Sequence, residues 1–207
     1  MITENPWLKI SSEDYEGHMS GKNVRQLHVL SQIFGKVISE YHPESIMVLG
    51  CTTGNGFEHF KGNEKVIGVD INPDYLNRCR KRFTCKLPNL DLICADLNAF
   101  EYRQESFDLI HAALIFEYVD VEKLLKKISV WLKQNGYLTV VLQLESKTSS
   151  AISETEFSSL KTLLPIHNLL DPKNFVSKCN EFGFKEIEYY EADLPGDKKF
   201  AVLIFQK

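Results

Sequence analysis

A glycine-rich turn follows a short apolar run and is the first place where this sequence could hold a ligand. The run covers residues 45–49, and the turn reads Gly-Cys-Thr-Thr-Gly-Asn-Gly over residues 50–56. Glycines permit positive φ and let backbone N–H groups approach a ligand closely. The spacing is neither the G-x-G-x-x-G of dinucleotide binding nor the G-x-x-x-x-G-K of a phosphate-binding loop. Taken alone, the turn predicts either a ligand-binding backbone or only a tight strand-to-helix connection.

Two aspartates come at the ends of the next two apolar runs. Asp70 ends the run over residues 65–70, and a carboxylate there can accept both ribose hydroxyls of a bound nucleoside. The alternative is that Asp70 stabilises the start of the following helix by its negative charge. Asp96 follows the run over residues 90–94 and could accept a hydrogen bond from an adenine amino group, with Leu97 against the ring. Capping of a short helix explains Asp96 equally well.

Three residues near the end of the next apolar run could donate or accept a proton. His111, Glu117 and Tyr118 lie at or after the end of the run over residues 107–112. The unperturbed pKa of histidine suits proton transfer near neutrality, and a carboxylate can also act as a general base. The alternatives are a strand-end histidine satisfied by its neighbours and a solvated glutamate at a helix start.

The apolar runs predict seven strands that would position these residues. The last two are joined by only a few residues and must be antiparallel, because a parallel pair needs a crossover of a dozen residues or more. The order is five βα-type units and then a hairpin, which predicts an α/β sandwich with one reversed strand near an edge. The predicted strands cover residues 45–49, 65–70, 90–94, 107–112, 137–144, 184–192 and 200–205.

The helices between these strands are indicated by their ends and by apolar spacing. Apolar residues at steps of three and four predict an amphipathic helix over residues 23–40. Asn72 and Asp171, each followed by proline, and also Asp120 have the side chains expected of helix N-caps. Gly136 is expected to end a helix in the left-handed conformation.

The composition excludes several classes of protein. The chain has 207 residues and a net charge of -4, and this balance argues against a dedicated nucleic-acid binder. No apolar run is long enough to span a membrane, and the histidines and cysteines lack metal-site spacing, so neither membrane insertion nor a metal is expected. Five irregularly spaced cysteines suggest a reduced, cytoplasmic protein. The oligomeric state stays open.

Six short segments, in order along the chain, carry a resemblance to a known family. They read IMVLGCTTG, VDINP, ADL, FDLI, LKQNGY and FGF. Together they resemble the class I S-adenosylmethionine-dependent methyltransferases, whose usual first-turn pattern is (I/V)LDLGCGTG. The resemblance covers roughly residues 45–207. It implies a Rossmann-like fold with a seven-stranded, mostly parallel sheet of order 3-2-1-4-5-7-6, strand 7 antiparallel, and helices on both faces.

The resemblance also implies an activity and a set of site residues. The activity is transfer of a methyl group from S-adenosyl-L-methionine to an oxygen, nitrogen or sulfur atom of a small molecule. His111, Glu117 and Tyr118 are the catalytic candidates. The cofactor-binding candidates are Tyr15, Gly50, Cys51, Thr52, Gly54, Asp70, Ile71, Asp96, Leu97 and His111.

A single methyltransferase-like domain over residues 1–207 is the predicted organisation. It divides into an N-terminal helical cap over residues 1–44 and a Rossmann-like core over residues 45–207, with a polar insertion over residues 145–168. The segment 14–19 is a candidate cover for the cofactor, since Tyr15 and its neighbours could close the pocket. The alternative is a surface turn that packs on the sheet.

Two departures from the family pattern keep a second hypothesis open. Val48 replaces the usual acidic residue of the first strand, and Thr52 replaces a glycine that faces the cofactor. A non-catalytic binding or regulatory protein on the same fold would tolerate both changes. A nicotinamide-dependent oxidoreductase is the third hypothesis, and the glycine spacing and terminal hairpin argue against it.

Overall fold

The computed structural model describes residues 5–146 and 156–207 and contains one seven-stranded sheet. The strand order is β3-β2-β1-β4-β5-β7-β6, in which β7 runs antiparallel to both neighbours and the other pairs are parallel. The predicted sheet is therefore confirmed. The strands are β1 Ser45–Leu49, β2 Lys65–Asp70, β3 Leu90–Cys94, β4 Phe107–Ala113, β5 Leu132–Gln143, β6 Lys185–Asp193 and β7 Lys199–Gln206.

Five α-helices accompany the sheet within the described residues, and the predicted capping residues begin three of them. Asn72, Asp120 and Asp171 each accept a backbone N–H two or three residues further on, at 2.9–3.1 Å. These bonds satisfy N–H groups that have no partner inside the helix. The helices are α1 Ser12–Ser20, α2 Gln26–Tyr41, α3 Pro73–Phe83, α4 Val121–Trp131 and α5 Pro172–Glu181.

Helices cover both faces of the sheet, as predicted. Successive residues of a strand point to opposite faces, and β1 shows this directly. Met47 packs in a cluster with residues of α4 and α5, whereas Val48 packs in another with residues of α2 and α3. Both β1 residues are buried because the sheet is buried on both sides.

No α-helix follows the glycine-rich turn after β1, and the expectation of a strand-to-helix connection there is wrong. Only a short 3-10 helix, Phe57–His59, lies between β1 and β2. Gly50, Thr52, Gly54 and Gly56 all have positive φ, and this alternation is incompatible with right-handed helical backbone. The connection between β3 and β4, residues 95–106, also lacks an α-helix, so the expected five βα units are not all present.

Gly136 does not end α4 in the left-handed conformation, so that prediction is also wrong. The left-handed residue is Asn135, with φ 63°, and β5 begins directly after α4. A Cβ on Gly136 would lie 3.0 Å from the carbonyl oxygen of Lys133 and 3.2 Å from that of Asp108. Gly136 thus permits a close backbone approach inside the strand.

Candidate functional site

A cavity of about 140 Å³ lies at the carboxyl ends of β1, β2 and β4. This is the edge at which open α/β sheets bind ligands. Gly50, Asp70 and Ala113 line it from the three strand ends. The opposite wall comes from α1 and from a 3-10 helix over Ser158–Ile166.

Asp70 is fixed at the cavity wall by two backbone hydrogen bonds. The N–H groups of Thr52 and Asn72 donate to its Oδ2 and Oδ1, each at 2.8 Å. The side chain is 6% exposed, and burial raises the pKa of Asp70 to about 6. The N–H bonds partly oppose this rise, so the carboxylate form stays accessible at neutral pH.

Thr52 connects the glycine-rich turn to α1. Its backbone is left-handed, with φ 47°, an uncommon conformation for a β-branched residue. Its side chain interacts with Tyr15 and lowers the pKa of that phenol, against the larger effect of burial, and both residues line the cavity. Burial raises the pKa of Tyr15, so its phenol stays protonated.

Asp96 and Leu97 form the next part of the wall. Oδ1 of Asp96 accepts the backbone N–H of Asn98 at 2.9 Å and its side-chain amide at 3.0 Å. This carboxylate therefore stabilises a turn, and not the short helix that the alternative predicted, while it also lines the cavity. Leu97 beside it is buried and presents an apolar surface.

Glu117 is a buried carboxyl group in the cavity wall. It lies in the 3-10 helix Phe116–Tyr118 and is 1% exposed, so the alternative of a solvated glutamate is wrong. Its Oε1 accepts the backbone N–H of Gln143 at 2.9 Å. Within the described residues its Oε2 has no hydrogen-bond partner. Burial raises the pKa of Glu117 to about 7.

Aromatic rings surround much of the cavity. Trp7 meets Tyr118 edge to face at 5.1 Å and Tyr15 at 6.3 Å, and Tyr15 packs on Tyr75 at 5.2 Å between ring centroids. Tyr118 in turn meets the ring of His167 at 5.3 Å. Trp7, Tyr75 and His167 were not among the predicted site residues. For Tyr75 a signal was present, since it lies in the first turn of the helix after Asp70.

The segment around Tyr15 is a helix rather than a surface turn. Ser11 caps α1 by accepting the N–H of Asp14. Tyr15, His18 and Met19 are buried and all line the cavity. The helix thus covers the predicted nucleoside side of the site.

Glu16 ties α1 to the core. It accepts hydrogen bonds from the guanidinium of Arg82 and the hydroxyl of Thr53, and it lies 3.1 Å from the guanidinium of Arg78. Two arginines of α3, Arg78 and Arg82, therefore hold α1 in place. No sequence signal marked this ion pair, which joins residues 66 positions apart.

Comparisons with known proteins agree with this arrangement. A family model described as a methyltransferase domain matches residues 47–140. Carboxy-S-adenosyl-L-methionine synthase from Ruthia magnifica is 24% identical over 66% of this chain and 68% of its own. (S)-coclaurine N-methyltransferase from Papaver somniferum is 32% identical over 47% of this chain, and the match spans 29% of that protein.

A solved structure shows the same fold with a ligand. The N-methyltransferase NodS from Bradyrhizobium japonicum, in complex with S-adenosyl-L-homocysteine, matches with a TM-score of 0.67 and 15% identity, over 95% of this chain and 97% of its own. The fold of this chain is therefore that of solved S-adenosylmethionine-dependent methyltransferases. A second solved structure of this fold, an N1-methyltransferase from Burkholderia thailandensis, also holds S-adenosylhomocysteine.

The polar groups that line the cavity fit a nucleoside cofactor. Asp70, Ile71 and Leu97 line one side of it together. Two buried polar atoms at the cavity have no partner within the described residues, Oε2 of Glu117 and the hydroxyl of Tyr75. Unpaired buried polar atoms are costly, and a polar ligand would satisfy them.

Three predicted site residues do not line this main cavity. A Cβ on Gly54 would meet Phe83 at 2.7 Å and Cys79 at 2.8 Å, so Gly54 faces α3 rather than a ligand. Cys51 and His111 line a smaller recess next to Gly50 and Thr52. The roles predicted for them stay predictions.

His111 lies inside β4, two residues before the end of that strand. The prediction placed it at or after the strand end, near the mouth of the site. Its ring stacks on Phe34 at 4.1 Å between centroids and 11° between planes. Burial lowers the pKa of His111 to about 3, so the ring is neutral.

Two classes of site receive no support from the described parts of the chain. Residues 5–146 and 156–207 hold no group of three metal-binding side chains. Among the helices in the same ranges, none is long and apolar enough to cross a membrane.

Proposed function

We propose that this protein transfers a methyl group from S-adenosyl-L-methionine to an oxygen, nitrogen or sulfur atom of a small molecule bound in the cavity. The observation that carries this proposal is that two buried carboxyl groups, Asp70 and Glu117, line one cavity at the carboxyl edge of the sheet. Asp70 suits hydrogen bonding to the sugar of a nucleoside, and Glu117 suits acceptance of a proton during the reaction.

The cofactor would lie along the wall formed by the first three strand ends. Asp70 would accept the ribose hydroxyls, and Leu97 would cover the adenine. Gly50 and Thr52 would lie beside the amino-acid part of the cofactor, under Tyr15. The remaining candidates on this wall are Ile71 and Asp96.

The residues of the chain would position the reactants and accept a proton. When bound, the cofactor supplies an electrophilic methyl group on a positively charged sulfur. Alignment of a nucleophile with that methyl group can contribute about 7–11 kcal/mol to lowering the barrier. Glu117 would accept the proton of the nucleophile at Oε2, beside Tyr118. His111 is the weaker candidate, because its ring is stacked in the recess.

The segments that cover the cavity favour a small methyl acceptor. In this proposal the predicted cap over residues 1–44 covers the cofactor side. The predicted insertion over residues 145–168, of which residues 147–155 lie outside the described residues, closes the acceptor side through Leu160 and Leu163. Such walls favour a small molecule over a nucleic acid. The five free cysteines favour a reducing compartment such as the cytoplasm.

Two measurements test this function. Calorimetry should show S-adenosyl-L-homocysteine binding to the protein, and Asp70→Asn should weaken it by about tenfold, since hydrogen bonds to a charged group contribute about 1.5–3 kcal/mol. A screen of small nucleophiles should then produce S-adenosyl-L-homocysteine from the methyl donor. Binding that is equal in Asp70→Asn would reject the cofactor pose.

A second candidate is a protein that binds S-adenosyl-L-methionine without methyl transfer. The left-handed, β-branched Thr52 at the cofactor turn favours it, as does a relative named for synthesis of a derivative of the cofactor. Turnover to S-adenosyl-L-homocysteine with any acceptor would exclude this candidate.

A further inference from the structure

The ionisable groups that line the cavity give it acidic character. Its carboxyl groups are Asp70, Asp96 and Glu117, and within the described residues no lysine or arginine lines it. Its two histidines are His18 and His167, and burial, together with the positive charge of nearby Lys198, lowers the pKa of both. Both histidines are therefore mostly neutral at pH 7, and the balance of charge in the cavity favours a cation.

Aromatic rings line the same cavity as Glu117. Tyr118 follows it directly in the sequence, and Trp7 meets Tyr118 at 5.1 Å between ring centroids. Trp7 also meets Tyr15, at 6.3 Å. Aromatic faces attract ammonium groups, and the attraction is larger where water is excluded.

Glu117 has one oxygen left for a ligand. Oε1 is occupied by the N–H of Gln143, and Oε2 is buried and unpartnered among the described residues. An isolated buried carboxylate is unstable unless a donor or a positive charge faces it. An ammonium N–H supplies both, whereas a neutral hydroxyl supplies only the donor.

We propose that the methyl acceptor is an amine that enters as its ammonium ion, and that Oε2 of Glu117 binds this ion among the rings of Trp7 and Tyr118. This inference rests on the proposed function and names its substrate class. Trp7, which was not among the predicted site residues, becomes a residue that determines specificity.

The proton and electron pairs balance in two steps. The ammonium first transfers one N–H proton to Oε2 of Glu117, and the nitrogen regains its lone pair. That lone pair then forms the N–CH₃ bond while the S–CH₃ bond breaks and its electron pair stays on sulfur. The products are a methylated ammonium and S-adenosyl-L-homocysteine, and Glu117 returns its proton to water after release. A pKa of about 7 lets Glu117 accept and return a proton near neutrality.

The test compares two probes that differ in charge. Benzylamine, a cation at pH 8, and benzyl alcohol are titrated into the protein saturated with S-adenosyl-L-homocysteine. The amine should bind about tenfold more tightly than the alcohol, and Glu117→Gln should remove this preference. Glu122→Gln, a change at an exposed glutamate of α4, should keep it.

The outcomes separate this inference from the proposed function. If S-adenosyl-L-homocysteine does not bind the wild-type protein, the proposed function fails, whatever the probes do. Equal binding of amine and alcohol, no binding of benzylamine, or a preference that survives Glu117→Gln would overturn the amine inference alone. A loss of S-adenosyl-L-homocysteine affinity in Glu117→Gln would overturn it too, because Glu117 would then hold the cofactor. Thermal unfolding of each variant confirms that it is folded.

Discussion

The backbone N–H of Thr52 donates a hydrogen bond to Oδ2 of Asp70 at 2.8 Å. This bond joins the turn after β1 to the end of β2 and depends on the left-handed backbone of Thr52. Because the side chain of Thr52 also interacts with Tyr15, one residue connects the predicted ribose-binding carboxylate to α1. The contacts with Asp70 and α1 therefore fix the conformation of this turn, which no α-helix follows.

Two glycines of this turn should respond differently to alanine. Gly54→Ala adds a Cβ that clashes with Phe83 and Cys79 at a positive φ, and it should destabilise the protein by about 2–4 kcal/mol. Gly50→Ala has the same backbone strain at φ 65° but meets only the flexible end of Ile115, so it should cost about 1–2 kcal/mol of stability. It should also weaken S-adenosyl-L-homocysteine binding, because Gly50 lines the cavity. Urea unfolding and calorimetry measure the two effects.

The matched control for both is Gly183→Ala. Gly183 has φ 84° and no atom within 4 Å of an added Cβ. The unfolding free energy that Gly183→Ala loses therefore measures the backbone strain alone, about 1–2 kcal/mol. Weaker cofactor binding in Gly54→Ala without lost stability would show that Gly54 contacts the cofactor after all.

The covering role of α1 is tested at Tyr15. Tyr15→Ala removes a ring that is packed on Tyr75 and lines the cavity, and it should weaken S-adenosyl-L-homocysteine binding by about tenfold. Tyr15→Phe keeps the ring and loses only the hydroxyl, so its effect should be smaller. Unchanged affinity of Tyr15→Ala in calorimetry would reject the covering role.

The strands and caps were predictable because their signals are local. Residues 45–49 and 65–70 are apolar runs with glycine or polar residues at their ends, and both strands were predicted with their observed bounds. Asn72 followed by proline predicted the start of α3 correctly for the same reason.

The features that sequence reasoning missed depend on contacts between distant residues. The burial of Glu117 depends on Gln143, 26 positions away in β5. The left-handed Thr52 requires Asp70 and Tyr15, and a threonine gives no warning of such a conformation. The depth of His111 in β4 depends on Phe34 of α2.

Glu16 links α1 to α3, so loss of its charge should make α1 more mobile. Glu16→Gln weakens the contacts with Arg82 and Arg78, so amide hydrogen exchange over residues 12–20 should become faster, and S-adenosyl-L-homocysteine should dissociate faster. Glu13 also pairs with Arg78, but its side chain is 71% exposed, and Glu13→Gln should have a much smaller effect. Equal protection of α1 in both variants would mean that apolar packing alone holds it.

The raised pKa of Glu117 predicts how stability depends on pH. Burial moves it from 4.5 in the unfolded chain to about 7 in the folded protein. Between these values the folded state binds more protons than the unfolded state, so the wild-type protein loses stability as the pH rises from about 4.5 to about 7. The loss from this one group is on the order of 3 kcal/mol.

Glu117→Gln should remove that loss, because a neutral amide does not titrate and its oxygen can still accept the N–H of Gln143. The free energy of unfolding of the variant, minus that of the wild type, should therefore increase as the pH rises from 4.5 to 8. Urea unfolding at several pH values measures this difference. The other ionisable groups facing the cavity are present in both proteins, so their contributions cancel to first order. A difference that stays constant with pH would mean that Glu117 titrates at its ordinary value, and the proton transfer proposed for it would then lose its support. The cancelling groups are Tyr15, His18, Asp70, Tyr75, Asp96, Tyr118 and His167.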